Sequence, residues 1–240
     1  MSAALALLGN YLLYLLPGLV LYALWFGLTP RHLVGLRIAI LLLGFVLLRD
    51  VMTPLRLWSL GAGAQLGFIA NPMVLAGLGL LSLATLACLA SVAAQLWKLV
   101  VWERRGWPSG LALGLLGGLV LGLPLRLYAG IDLDQASGSW LLGMALLALG
   151  GNALEEVLFR GLLQGYLEEY CAPWRAAWLS ALAFAACHAF LAFSVTRAGW
   201  PVLLFTLLEG VICAGLRLRH GVLAAIAAHA TVIWLIAVPM

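Results

Sequence analysis

The chain has 240 residues, of which 65% are hydrophobic and 9% are charged, and its formal net charge is +4. A soluble domain is about 45–50% apolar and about 25% charged, so the composition excludes a soluble globule and leaves no room for a separate soluble domain. The basic residues are scattered, with no run longer than Arg104-Arg105. We interpret them as charges that orient a membrane protein, with no nucleic acid as a partner.

Long apolar segments separated by short polar connections predict an all-α fold, a polytopic transmembrane helical bundle. A spanning helix needs about 20 largely apolar residues, so the chain has room for about eight spans. The first segment lacks the positively charged start of a signal peptide and is expected to be retained. The predicted spans are 4–27, 33–48, 73–97, 109–127, 140–163, 174–195, 200–216 and 221–238.

Glycine marks two features of the first half. Residues 59–71 are weakly apolar and rich in glycine, which predicts a re-entrant or interfacial segment. Gly114, Gly118 and Gly122 recur every four residues in the fourth predicted span. That spacing allows another helix to approach closely.

Ionisable side chains within the spans are concentrated in the second half of the chain. This distribution divides the chain into N-terminal transmembrane helices, 1–130, and catalytic transmembrane helices, 131–240. An ionised side chain costs about 2.5–3.5 kcal/mol at the centre of a membrane helix, so function is the default explanation for it. The last four spans are expected to form a four-helix core around one cavity. The polar residues of this core are Asn152, Glu155, Glu156, Arg160, His188, Glu209 and His229.

Two adjacent glutamates, Glu155 and Glu156, precede Arg160 in the fifth span. Glu156 and Arg160 are four residues apart on a helix, so they share a face and are expected to form an ion pair. Glu155 lies about 100° further round the helix and is free for another partner. One glutamate is therefore predicted to be structural and the other to act as a general base.

The order of these motifs resembles the CPBP family of intramembrane proteases, which includes the CAAX prenyl endopeptidases. The family pattern is Glu-Glu-x-x-x-Arg, then Phe-x-x-x-His, then His-x-x-x-Asn, each on a separate helix. The resemblance covers about residues 140–235, and the earlier spans share only their apolar character. The matching residues are Glu155, Glu156, Arg160, Phe184, His188 and His229.

The resemblance implies an intramembrane endopeptidase that depends on glutamate. Glu155 would activate a water with help from His188, and His229 would help to stabilise the tetrahedral oxyanion. Glu156 and Arg160 would hold the site together. The implied partners are a membrane-anchored protein or peptide substrate and the lipid bilayer, and the implied location is the bacterial plasma (inner) membrane.

One position departs from the family pattern in the last motif. The Asn expected four residues after His229 is Ile233, which cannot donate a hydrogen bond. Part of the expected oxyanion hole is therefore missing or supplied elsewhere. Thr231 and Asn152 are the candidate substitutes.

A second departure is Glu209, which stands where the family usually has a small residue. One interpretation is a charge paired with Arg217 or Arg219 near the interface. The other is an additional catalytic or substrate-positioning acid.

No cofactor is expected. If the enzyme were metal-dependent, Glu155, His188 and His229 would be the zinc ligands, with one position left open as in catalytic zinc sites. The chain has no His-Glu-x-x-His motif, and the resemblance favours water activated by glutamate without a metal. The four cysteines have no metal-ligand spacing and are interpreted as small buried side chains.

The leading prediction is an endopeptidase for membrane-associated protein or peptide tails, with C-terminal processing of sorted bacterial surface proteins as a specific possibility. The first alternative is a catalytically impaired binding or immunity protein that keeps the fold, which the Ile233 substitution suggests. The second is a proton-coupled transporter, since buried acids and histidines also build proton relays. The sequence contains no internal repeat of the kind common in transporters.

Overall fold

The computed structural model describes residues 3–61, 65–130 and 136–240, and each of the predicted spans falls on a helix. Between α6 and α7 the helix continues through a π-helical segment, Val157–Leu163, and a second π-helical segment, Leu191–Val195, follows α8. The helices are α1 Ala3–Leu28, α2 Val34–Asp50, α3 Pro72–Val92, α4 Ala94–Trp97, α5 Trp107–Tyr128, α6 Gly138–Glu156, α7 Gln164–Glu168, α8 Pro173–Cys187, α9 Trp200–His220 and α10 Val222–Ile236.

The protein is an integral, multi-pass membrane protein. Within the described ranges, six helical stretches are long and apolar enough to cross a membrane. Six of the eight predicted spans correspond to these stretches, and the other two fall on shorter helices, α2 with 17 residues and α10 with 15. The six stretches are Ala3–Leu28, Pro72–Val92, Trp107–Tyr128, Gly138–Glu168, Pro173–Val195 and Trp200–His220.

A small sheet accompanies the helices and was not predicted. Its strands are β1 Trp58–Leu60, β2 Leu66–Phe68 and β3 Ala237–Pro239, in the order β1-β2-β3. β1 pairs with β2 in antiparallel fashion, and β2 pairs with the C-terminal β3 in parallel. Much of the stretch predicted as a re-entrant or interfacial segment is therefore part of a β-hairpin, although residues 62–64 lie outside the described ranges.

Helix α6 lies at the centre of the bundle and packs against α3 and α10. Its contact with α3 is close because glycine faces glycine: a Cβ added at Gly79 would meet the backbone of Leu146, and one added at Gly150 would meet the backbone of Gly79. Small residues at a crossing let two helix backbones approach closely in a membrane. This contact fixes the depth of α6, which carries the paired glutamates.

The predicted close contact of the fourth span is confirmed. Helix α5 packs against α10. A Cβ on Gly114 would meet the carbonyl of Ala224, and one on Gly118 would meet the carbonyl of Ala228. The spaced glycines therefore hold α10, and with it His229, against the bundle.

Candidate active site

The ion pair predicted on the fifth span is present. Arg160 Nη1 lies 2.9 Å from Glu156 Oε1, and neither side chain is exposed. The Arg160 guanidinium also lies over the Phe184 ring, 4.2 Å from its centroid. Arg160 is in the π-helical segment that continues α6, and such segments often occur at functional sites. The pair joins α6 to α8 in the centre of the bundle.

Glu156 has a second partner on α10. His229 Nδ1 lies 2.8 Å from the same oxygen, Glu156 Oε1. A carboxylate only accepts hydrogen bonds, so Nδ1 carries a hydrogen and donates it. Glu156 thus orients the His229 ring and turns Nε2 towards Glu155 and Glu209.

Glu155 points away from this pair and lies between two imidazoles. Its Oε1 is 3.7 Å from His188 Nε2, and its Oε2 is 3.8 Å from His229 Nε2. Both separations exceed hydrogen-bond length, which leaves room for a water or substrate atom to bridge these groups. His188 lies just beyond the end of α8, where its Nδ1 donates to the carbonyl of Phe184 at 2.8 Å. Its Nε2 is consequently the nitrogen that faces Glu155.

Glu155, His188 and His229 line a cavity of about 540 Å³. Its polar lining in the second half of the chain consists of Asn152, Glu155, His188, Thr206, Glu209 and His229. The first half also contributes, with Tyr11, Phe45, Arg49 and Trp58 among its lining residues. The cavity is therefore built from both predicted halves of the chain, and the last four spans do not enclose it alone.

Arg49 is a charged residue of the candidate site that the sequence analysis did not include. It lies at the end of α2 and lines the cavity, where its Nη2 donates to the carbonyl of Cys187 at 2.8 Å. It also forms an ion pair with Asp50 at 2.8 Å. Because charged residues follow the apolar run here, the sequence indicated only a polar connection. The bond to Cys187 places this cation next to His188.

The structure distinguishes the two proposed substitutes for the missing Asn. Thr231 does not reach the cavity: its hydroxyl donates to the carbonyl of Ala227 at 2.7 Å, and it lines a separate groove between α5, α6 and α10. Asn152 lines the cavity, is 7% exposed, and its Nδ2 has no hydrogen-bond partner in the described residues. Ile233 also lines the cavity. Of the two candidates, only Asn152 offers a donor there.

Glu209 lies inside the site and not at the interface. Its Oε1 is 3.7 Å from His229 Nε2, and the residue is 2% exposed. Arg217 instead forms an ion pair with Glu168, so the interpretation of Glu209 as a partner of Arg217 is wrong. The cavity thus contains a second carboxylate beside Glu155.

The three residues named as possible zinc ligands, Glu155, His188 and His229, all line the cavity. The two oxygens of Glu155 face different histidines. Across the part of the chain that the structure describes, no group of three His, Cys, Asp or Glu side chains has an arrangement that could hold a metal ion.

The fold and the site define a multi-pass membrane protein with a buried carboxylate and two imidazoles facing a cavity. Residues 137–235 match a family model described as Type II CAAX prenyl endopeptidase Rce1-like. This match covers the C-terminal helices and confirms the resemblance to the CPBP/CAAX protease family that the motif order indicated. No curated protein and no solved structure matches the chain significantly.

Proposed function

We propose that the protein is an intramembrane endopeptidase that cleaves membrane-associated protein or peptide tails with a water activated by Glu155. The observation that carries this proposal is the position of Glu155, whose two oxygens face His188 Nε2 at 3.7 Å and His229 Nε2 at 3.8 Å. Glu155 is 6% exposed and lines the cavity, so a water held there would be separated from bulk solvent. Glu155 Oε1 has no hydrogen-bond partner among the described residues and is free to accept one.

In the proposed reaction, the Glu155 carboxylate takes a proton from water while the water oxygen attacks the carbonyl carbon of the scissile peptide bond. His188 Nε2 helps to orient that water. The negative charge moves to the carbonyl oxygen of the tetrahedral intermediate. Protonated Glu155 then gives its proton to the amide nitrogen, the C–N bond breaks, and the products are a carboxylic acid and an amine.

We assign oxyanion stabilisation to Asn152 and His229. The unpaired Asn152 Nδ2 can donate to the developing oxyanion without losing another hydrogen bond. The imidazolium form of His229 donates Nδ1–H to Glu156 and offers Nε2–H to the cavity. Donors fixed before the reaction stabilise the transition state more than the substrate, which is how they accelerate catalysis.

Glu156 and Arg160 are assigned to positioning. The Glu156 carboxylate receives hydrogen bonds from both Arg160 and His229, so it joins α6, the π-helical segment and α10. Neither Glu156 nor Arg160 is among the residues that line the cavity. Their proposed role is to fix the His229 ring at the angle that catalysis requires.

The substrate class follows from the cavity. Most of its lining is apolar, including Phe45, Leu48, Met52 and Leu191, so it suits apolar peptide side chains at membrane depth. We propose a membrane-associated protein or peptide as the substrate. C-terminal sorting segments of bacterial surface proteins belong to this class. They are included among the peptides in the following experiment.

The test is a cleavage assay in proteoliposomes with candidate tail peptides, including sorting segments, and with mass spectrometry to identify both products. We expect cleavage by the wild type and its loss in Glu155→Ala and His188→Ala. The matched controls are Glu169→Ala and His32→Ala, which replace the same residue types at exposed positions. Unchanged cleavage by Glu155→Ala would end the proposal. Proton flux that persists in Glu155→Gln liposomes without any peptide cleavage would favour a carrier based on Glu209.

A further inference from the structure

The small sheet borders the cavity that contains Glu155. Trp58 and Leu60 of β1, and Leu66 and Phe68 of β2, are all lining residues. β3 directly follows α10, so Ala237 lies about 12 Å beyond His229 along the helix axis. An extended peptide covers that distance with about four residues. β1 lies at the opposite edge of the sheet from β3, and its residues Trp58 and Leu60 line the same cavity as Glu155. A short strand paired with β1 would therefore lie beside the cavity that contains the proposed catalytic groups.

The register shows which backbone groups of β1 remain unpaired. The amide of Ile69 donates to the carbonyl of Leu57, and the amide of Gly61 donates to the carbonyl of Gln65. Residues alternate between the two edges of an antiparallel strand, so the backbone groups of Trp58 and Leu60 point away from β2. In the described residues these outward groups form no hydrogen bond with another part of the chain. The outer edge of β1 can thus accept one more strand.

A second, independent observation points to a ligand beside the same strand, on the face of the sheet that borders the cavity. The Trp58 side chain is 8% exposed and lines the cavity, yet its Nε1–H has no hydrogen-bond partner among the described residues. Buried indole N–H groups usually find a partner, and a peptide carbonyl is a suitable one. The other outer edge is different, since Pro239 of β3 has no N–H to donate.

We propose that the peptide substrate binds as a fourth strand on the outer edge of β1, with its backbone paired to Trp58 and Leu60 and its scissile bond at Glu155. This inference rests on the proposed function and adds the binding mode. Main-chain hydrogen bonds hold an added strand irrespective of its sequence, while pockets select alternate side chains. The mode gives affinity for an extended, unfolded tail and none for a helix.

The test uses a peptide that the wild type cleaves and a set of its derivatives, each with one backbone N-methyl group. Strand pairing predicts that kcat/KM falls roughly three- to tenfold at every second position on one side of the scissile bond, because only alternate amides face β1. Intervening positions should match the parent peptide. A uniform effect, or an effect without alternation, would overturn the strand model while leaving the proposed function intact. No cleavage of any peptide would instead contradict the proposed function.

Leu60→Pro supplies the complementary variant, because it removes an outward-facing donor and leaves the ladder with β2 intact. We expect this variant to raise KM for the parent peptide. An N-methyl group at a sensitive position should then lower kcat/KM by a smaller factor in the variant than in the wild type. Pro239→Ala is the control on the opposite edge and should leave kcat/KM unchanged. If Leu60→Pro does not fold, the alternation measured with wild-type protein still decides the question.

Discussion

Glu155 and Glu156 are adjacent in the chain and have different partners. Glu156 shares a face with Arg160 and accepts hydrogen bonds from Arg160 and His229. Glu155, about 100° round the helix, faces the cavity and the Nε2 atoms of both histidines. Helix geometry alone predicts that the two carboxylates point in different directions and have different partners. It does not predict which helices meet each of them, because that depends on tertiary packing.

A substitution at Asn152 tests the proposal that its side-chain amide stabilises the oxyanion. We expect Asn152→Ala to lower kcat about 10²- to 10³-fold with little change in KM, since a lost oxyanion donor acts on the transition state. Thr231→Val is the matched control, because the Thr231 hydroxyl is bonded within its own helix. Steady-state kinetics on folded protein give kcat and KM for both variants. A kcat for Asn152→Ala equal to that of the control would remove Asn152 from the site.

Ile233 allows a rescue experiment. Its side chain lines the cavity, and it occupies the position of the family's Asn. Replacing it in Ile233→Asn should restore roughly tenfold or more of the kcat lost in Asn152→Ala, because the new amide can supply the missing donor. A purely structural role for Asn152 would show no rescue, and kcat of the double variant would then equal or fall below that of Asn152→Ala.

The buried Glu156–Arg160 pair makes a stability prediction. Glu156→Gln leaves the Arg160 charge buried without its partner, which should lower the free energy of unfolding by about 3–5 kcal/mol. The double variant Glu156→Gln/Arg160→Met removes both charges and should be less destabilised than Glu156→Gln alone. Denaturant unfolding in detergent micelles measures both. Equal destabilisation of the two variants would show that the unpaired charge is not the cause.

At the scale of elements, hydropathy predicts the helices well because apolar runs end at charged, Gly or Pro residues. The predicted span 4–27, for example, corresponds to Ala3–Leu28. The sheet was not predictable in the same way. Its third strand follows α10 directly, and its pairing with β2 joins segments that are far apart in the chain. Periodicity within one segment contains no information about such a partner.

The crossing of α3 and α6 gives the prediction at this scale. Gly150→Ala should lower the free energy of unfolding by about 1–3 kcal/mol, since the added methyl would meet the Gly79 backbone. Gly151→Ala is the neighbouring control, where the nearest atom is Leu147 Cδ1 at 3.9 Å. Thermal unfolding of both variants in one detergent gives the comparison. Similar stabilities would mean that the two helices can separate without cost.

At the scale of the whole molecule, the cavity unites both halves of the chain. The sequence placed the polar residues of the second half in one site, since their burial needs a common explanation. It did not place Arg49 there, because that depends on how distant helices pack. It also left open whether Glu209 belongs to the cavity or to a charge pair near the interface. The expected boundary near residue 130 therefore marks a change in polar content along the chain. Residues on both sides of this boundary line the cavity.

The central claim is that Glu155 activates the water. The most direct measurement is kcat for peptide cleavage by Glu155→Gln, compared with Glu169→Gln, in preparations shown to be equally folded. Gln keeps the shape of the side chain and cannot take a proton, so kcat should fall between about 10²- and 10⁴-fold while the control stays at the wild-type value. A Glu155→Gln enzyme with wild-type kcat would contradict the account.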